Sequence, residues 1–320
     1  MFNNFRTLLH STYKSYDTEE NIDIYFTRPI GLFFALIWKR LGVHPNAITI
    51  LSFFLGGAAG WCFYHTSLEW NIYGVLFLMF ANFCDSTDGQ MARMTGKKTL
   101  IGRMLDGFSG DIWFFCIDFA ICLRLMDQNI PLTDIKWGIW IWLLGALAGF
   151  LCHSPQSSLS DYYRQIHLYF LKGKEGSELD NYEQQRRIYE QYKASGNLVG
   201  ELFFYNYANY CKSQEKRTPK FQRFFSHWLR SDLSKEKRES IRQQFLAGSR
   251  PLMPHTNTLT FNTRAICIYI TCLLNCPWVY FLFEITILQC LYKYMHRKHE
   301  TMSEMLDMQL SKNDNTLNDD

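Results

Sequence analysis

Apolar runs of near-helical length alternate with short polar breaks through the first half of the chain, and two more such runs lie near its end. A helix needs ~20 apolar residues to cross a bilayer. With tolerance for tilt there are six candidates: about Ala47 to Tyr64, Trp70 to Cys84, Leu100 to Met126 with polar first turns, Trp137 to Cys152, Arg264 to Asn275 with its flanks, and Trp278 to Tyr294. Each would satisfy its own backbone hydrogen bonds in lipid, as a spanning segment must. Residues 20–42 carry the shorter apolar run Ile30 to Trp38, followed by Lys39 and Arg40. That run is too short to span and predicts an amphipathic helix lying in the membrane interface. The pattern therefore predicts an all-α integral membrane fold: six transmembrane helices preceded by an interfacial amphipathic helix, with a cytoplasmic helical insertion.

The expected organisation follows. Residues 1–44 form a cytoplasmic N-terminus with the interfacial helix, 45–153 the first four spans, 154–261 the insertion, 262–298 the last two spans, and 299–320 a polar tail. In the insertion, Ser177 with Asp180 could form a capping box ahead of a helix at 181–193. Two more helices are expected at Leu198 to Tyr210 and Phe221 to Leu229. The plain reading of this segment is a solvated helical insertion without a catalytic role.

Charge changes the picture by its position rather than its sum. A net charge of +3 is too small to imply nucleic-acid binding. The breaks at 65–70 and 275–278 hold no Lys or Arg, and 127–135 has none, although Arg124 and Lys136 flank it. Arg93, Lys97, Lys98 and Arg103 follow the second run, the insertion is rich in Lys and Arg, and Lys293, Arg297 and Lys298 follow the last run. Positive charge stays on the cytoplasmic side, which places both termini and the 85–105 loop in the cytoplasm, at the cell (inner) membrane. A mean hydropathy of -0.16 averages over these unlike segments. The ten cysteines include no CxxC pair and fall mostly in apolar runs, so they read as small buried hydrophobes. The N-terminus is too polar for a cleavable signal peptide.

Residues 85–106 read DSTDGQMARMTGKKTLIGRMLD. Asp85 and Asp88 share a face at the end of the second run, Asp106 opens the third, and Gly89, Ala92 and Gly102 are small residues among them. Carboxylates at the mouth of a membrane helix are costly unless paired or bound to a cation. Three together suit a hard divalent ion that also takes substrate phosphates. Arg93, Lys97, Lys98 and Arg103 supply charge for a diphosphate. Taken singly, each acid reads better as a partner of a nearby Arg or Lys; together at this spacing they do not.

The spacing D-x2-D-G-x2-A-R-x8-G-x3-D at Asp85, Asp88, Gly89, Ala92, Arg93, Gly102 and Asp106 resembles the CDP-alcohol phosphatidyltransferases. The segment LGVHPNAIT at 41–49 looks like the family's entry to its first span. The resemblance covers roughly 22–153 and 262–297 and leaves the insertion unexplained. It implies transfer of a phosphatidyl group from a CDP-diacylglycerol-like lipid donor to a small alcohol acceptor, with release of CMP. It also implies Mg²⁺ or Mn²⁺ on Asp85, Asp88 and Asp106, room for the nucleotide at Gly89, Ala92 and Gly102, and an Arg93 that pairs with a phosphate or braces an aspartate. Asn46 and Thr49 would face the cytidine, and the family implies a homodimer.

The family's fourth aspartate should fall at 110, where this chain has Gly110; Asp111 follows one place later. That acid is the family's proposed general base, so the resemblance casts Asp111, with Asp106, as catalytic. On a regular helix position 111 lies about 140° around from Asp106. A single-turn π-bulge would absorb the extra residue and is the favoured explanation. The other readings are a different base or an altered site: a head-group transferase using a non-CDP or sphingolipid-type substrate, or an inactive protein of the same fold. Asp118 and Glu284 are expected to hold structural hydrogen bonds, and Arg103, Arg164 or Arg264 could serve a phosphorylated acceptor.

Overall fold

The computed structural model of the protein describes residues 2–317 except Lys14, Lys97, Lys98 and Asp232. The side chains of Leu100, Ile101 and Arg103 also lie outside the description, so the cationic roles expected of Lys97, Lys98 and Arg103 are not addressed by it. The described chain is all-helical, with one isolated antiparallel bridge between Asn129 and Lys136. Two compact units emerge, one of Met1–Pro155 with Thr260–Gln289, the other of Gln156–Leu259 with Cys290–Asp320.

The first unit begins with α1 (Phe2–Ser11) and α2 (Arg28–Arg40), the latter entered through a π-helical turn at Asp23–Thr27. Next come α3 (Pro45–Tyr64), α4 (Leu68–Thr95), α5 (Leu100–Leu125) and α6 (Ile139–Ala146). A π-helical segment, Leu147–His153, carries α6 without a break into α7 (Ser154–Lys172). In the second unit lie α8 (Tyr182–Ala194), α9 (Leu198–Arg217), α10 (Pro219–Arg230), α11 (Lys235–Ser249) and the short α12 (Met253–Thr258). The chain returns to the first unit with α13 (Phe261–Leu273) and α14 (Trp278–Phe283); a third π-helical segment, Glu284–Leu288, then leads into α15 (Gln289–Leu317).

Local chemistry explains the helix starts that frame the site. His44 caps α3 by accepting from the Asn46 amide, with Pro45 at the first helical position, where its missing N–H costs nothing. Ser67 caps α4 and Thr99 caps α5 through the Trp70 and Gly102 amides. α4 ends at Gly96, whose φ of 67° is the left-handed conformation that stops a helix.

Tight packing of the first unit depends on small residues. A Cβ on Gly56 would stand 2.1 Å from the Trp113 ring, and one on Gly60 would stand 2.9 Å from the Cys116 carbonyl oxygen. These two glycines, four apart on α3, therefore let it lie directly on α5. Phe63, Leu78, Trp113, Ile117, Ile121, Ile141, Ile268 and Phe281 fill the shared core. Among the described residues one helix, α3, is long and apolar enough by length and composition to cross a membrane.

α2 does more than coat an interface. It presses on α4: Thr87 donates to the Gly31 carbonyl at 3.2 Å, and Leu32 and Ala35 are fully buried. Its other face leaves Phe33 and Ile37 exposed. Arg124, which flanks the 127–135 break, lies in the last turn of α5. It is buried, donating to the Phe63 carbonyl and to the amide oxygens of Asn71 and Asn275 at 2.6–2.9 Å.

In the second unit, Phe170, Phe221, Phe224, Trp228 and Phe245 form an aromatic core, with Phe170 stacked on Phe245 at 4.0 Å. The expected capping box is replaced by a simpler cap: Asn181 accepts from the Gln184 amide, while Ser177 donates to the Gln165 carbonyl.

Candidate active site

The C-terminal turns of α4 meet the N-terminal ends of α3 and α5. Asp85 and Asp88 come from α4 and Asp106 from α5, and one oxygen of each lies within 4.8 Å of the others. A divalent ion with oxygen ligands at about 2.0–2.6 Å holds them in a shell of this size after a small closure. Asp88 is buried, Asp85 partly so, and Asp106 exposed.

Hydroxyls hold two of these acids. Thr49 donates to Asp88 from α3. Ser109 sits 2.7 Å from Asp85 Oδ1 and also reaches the Asp106 carbonyl oxygen at 2.9 Å. Burial, then the charge of Asp106, raises the Asp85 carboxyl above the ordinary range. Burial, then Asp85 and Asp106, raises Asp88. Acids so crowded ask for a proton or a cation to neutralise them.

Arg93, one helical turn beyond Gly89, folds back over it: a Cβ on Gly89 would meet the guanidinium at 3.5 Å. Its Nε and Nη2 donors are shielded from solvent and have no acceptor. Burial, then the nearby charge of Arg28, lowers its pKa to about 10, so it remains a cation at neutral pH. A half-buried cation with unused, shielded donors beside three acids is suited to bridging phosphate oxygens.

At the mouth, the Asn46 amide donates to Thr99 Oγ1 at 3.3 Å, and a Cβ on Gly102 would lie 2.7 Å from Asn46 Oδ1. Asn46 and Gly102 thus set the spacing of α3 and α5, and Thr49 clamps a carboxylate. Ala92 is half-buried on α4 between Asp88 and Arg93.

Asp111 does not join this group. α5 is an unbroken α-helix from Leu100 to Leu125, so the expected π-bulge is not there. On that regular helix Asp111 turns away from Asp106 and lines a cavity with Asp118 and His153. Nothing stands within 4 Å of where a Cβ on Gly110 would be. Arg264, one of the arginines considered for an acceptor, is buried and paired with Glu284 at 2.7 Å.

Sequence reasoning missed three contributors. Ser109 lies between positions 106 and 110 of the spacing, where serine carries no signal. Glu19 holds Arg28 in an ion pair at 2.9 Å, bringing a cation within electrostatic reach of Asp85 and Arg93. Gln90 ties that arrangement to α4 by donating to the Arg28 carbonyl at 3.0 Å.

The three acids could hold a divalent cation, and the half-buried arginine beside them offers donors to phosphate oxygens. Residues 42–154 match the family model for CDP-alcohol phosphatidyltransferase. A stretch of 83 residues is 38% identical to an archaetidylinositol phosphate synthase of Pyrococcus horikoshii. That similarity covers 26% of this chain and 43% of the relative, so the chain spans less than half the length of the curated protein it matches.

Proposed function

We propose that the protein is a phospholipid synthase of the membrane: it moves a substituted phosphate group from a CDP-linked lipid donor to an alcohol and releases CMP. The observation that carries this is the convergence of Asp85, Asp88 and Asp106 beside the unused donors of Arg93. In this reading the three acids hold Mg²⁺ or Mn²⁺, which when bound neutralises charge on the diphosphate and on the departing CMP. Thr49 and Ser109 keep Asp88 and Asp85 turned inward. Arg93 binds a phosphate oxygen, and Gly89 and Ala92 keep the α4 surface low enough for the nucleotide. The acceptor oxygen forms its bond to the lipid-side phosphorus as the bond to CMP breaks, and its proton passes to an acid.

Asp106, the most exposed of the three acids, is the acid we assign to that proton, since Asp111 faces elsewhere. The altered fourth position also favours a second reading, a head-group transferase with another donor. The relative's name makes inositol phosphate the first acceptor to test. The six spans, the cytoplasmic site and termini, the inner-membrane location and a homodimer belong to the same proposal. Their support is the one-sided Lys and Arg pattern and the family.

The test is CMP release by purified protein from CDP-diacylglycerol with inositol phosphate, inositol, glycerol 3-phosphate and serine, with and without Mg²⁺ or Mn²⁺. Cation-dependent CMP release with one acceptor is expected. Asp85→Asn, Asp88→Asn and Asp106→Asn should each lower it by at least about a hundredfold. A normal rate in any of the three would overturn the metal assignment; no CMP with any acceptor from folded protein would favour the second reading.

A further inference from the structure

A second cavity, of about 360 Å³, opens on the face of α5 turned away from Asp106. This volume is in the range of small-molecule sites. Its walls are largely aromatic, and Phe115, Phe119 and Phe150 around it are exposed. Its polar groups are few, chiefly Asp111, Asp118 and His153.

Asp118 is the informative one. Its Oδ1 is shielded from solvent and has no hydrogen-bond partner, contrary to the structural hydrogen bond expected for it. Its Oδ2 faces Gly149, where a Cβ would stand 3.5 Å away. An acceptor left unmatched in apolar surroundings is costly, and natural proteins match such groups or use them. His153 is 7% exposed and lies 3.5 Å from Glu284, which is itself bonded to Arg264 and Tyr280. His153 ends one π-helical segment and Glu284 begins another. Such segments are rare and frequent at functional sites. Here they turn the histidine and its glutamate toward each other behind the cavity.

We propose that this cavity binds a lipid alcohol. The hydroxyl donates to Asp118 at the polar wall, and the hydrocarbon chain leaves past Phe115 and Phe150. A hydroxyl supplies the missing donor without bringing a formal charge into apolar surroundings, and the aromatic walls accept the chain. The site does not rest on the reading of the acidic cluster, because it occupies another face of α5.

The experiment is photolabelling of the full-length protein in phosphatidylcholine nanodiscs with a diazirine-bearing dodecanol, mapped by mass spectrometry. Saturable labelling on α5 and on residues 142–150 is expected. Dodecanol should compete with the probe, and dodecyl methyl ether, which lacks the donor, should compete about tenfold less well. Asp118→Leu removes the acceptor and Gly149→Leu fills the cavity; each should cut labelling about tenfold while the protein stays monodisperse and the acidic cluster keeps its Mn²⁺ affinity. If Asp118→Leu fails to fold, Gly149→Leu, whose Cβ makes only an ordinary contact with Asp118 Oδ2 at 3.5 Å, carries the test. Labelling that is uncompeted, or unchanged in the folded variant, would reduce the cavity to ordinary lipid contact and overturn the proposal. Dodecylamine competing better than dodecanol would overturn the alcohol in favour of a cationic ligand.

Discussion

Asp85 and Asp88 hold their protons more tightly in the folded chain than a free carboxyl does, because burial and neighbouring carboxylates disfavour their charge. The consequence for stability has a definite sign. Below the ordinary carboxylate range both states keep these protons and the folded protein loses nothing. As pH rises above that range the unfolded chain releases them first, so stability falls until the folded acids ionise as well. Without divalent cation, the melting temperature should therefore drop as pH rises from the ordinary carboxylate range through the raised one. Mn²⁺ should restore it, most strongly at the higher pH. Asp88→Asn should flatten the profile and raise the cation-free melting temperature; differential scanning fluorimetry reads both.

The same scale holds the departure at Gly110. A side chain there meets open space, so Gly110→Asp should fold. We expect it to raise CMP release, as it restores an acid about 40° around from Asp106 on α5. Asp111→Asn should leave the rate within about threefold, because the residue faces the other cavity. A collapse of activity in Asp111→Asn, read in the same assay, would return the proton to Asp111.

Among the helices, the contact between α3 and α5 sets the positions of Thr49, Asp106 and Ser109 together. Gly60 is its least yielding point, facing backbone rather than a movable side chain. Gly60→Leu must push the helices apart and should cost about 1–3 kcal/mol or more. Circular dichroism melts should report that loss, and the affinity for Mn²⁺ should fall with it. Helix caps explain which starts were legible. Ser67 and Thr99 cap α4 and α5 through amides three residues on. Ser177 is drawn off by the Gln165 carbonyl, a partner twelve residues away that no local pattern reveals.

The molecule as a whole divides into two units with separate cores. Phe245 lies in the aromatic core of the second, against Phe170 and Phe224. Phe245→Ala should cost about 3–5 kcal/mol there. We expect a lowered melting transition while Mn²⁺ still binds the acids of the first unit; loss of both together would mean that the units unfold as one.

The all-helical architecture was legible because long apolar runs permit little else. The acids at 85, 88 and 106 were legible because their spacing is fixed by helix geometry on α4 and by the first turns of α5. Departures from that geometry were not legible. The extra residue before Asp111 invited a π-bulge on α5, whereas the π-helical segments lie at Asp23–Thr27, Leu147–His153 and Glu284–Leu288. Two of them end or begin at residues that meet across the fold, His153 lying 3.5 Å from Glu284, a contact no local pattern reveals. Periodicity and spacing, which are properties of neighbouring residues, determined the helices and the acid cluster. Tertiary contact alone decided that Thr49 and Ser109 hold the acids, that Glu19 brings Arg28 near them, and that Asp118 faces a cavity instead of a partner.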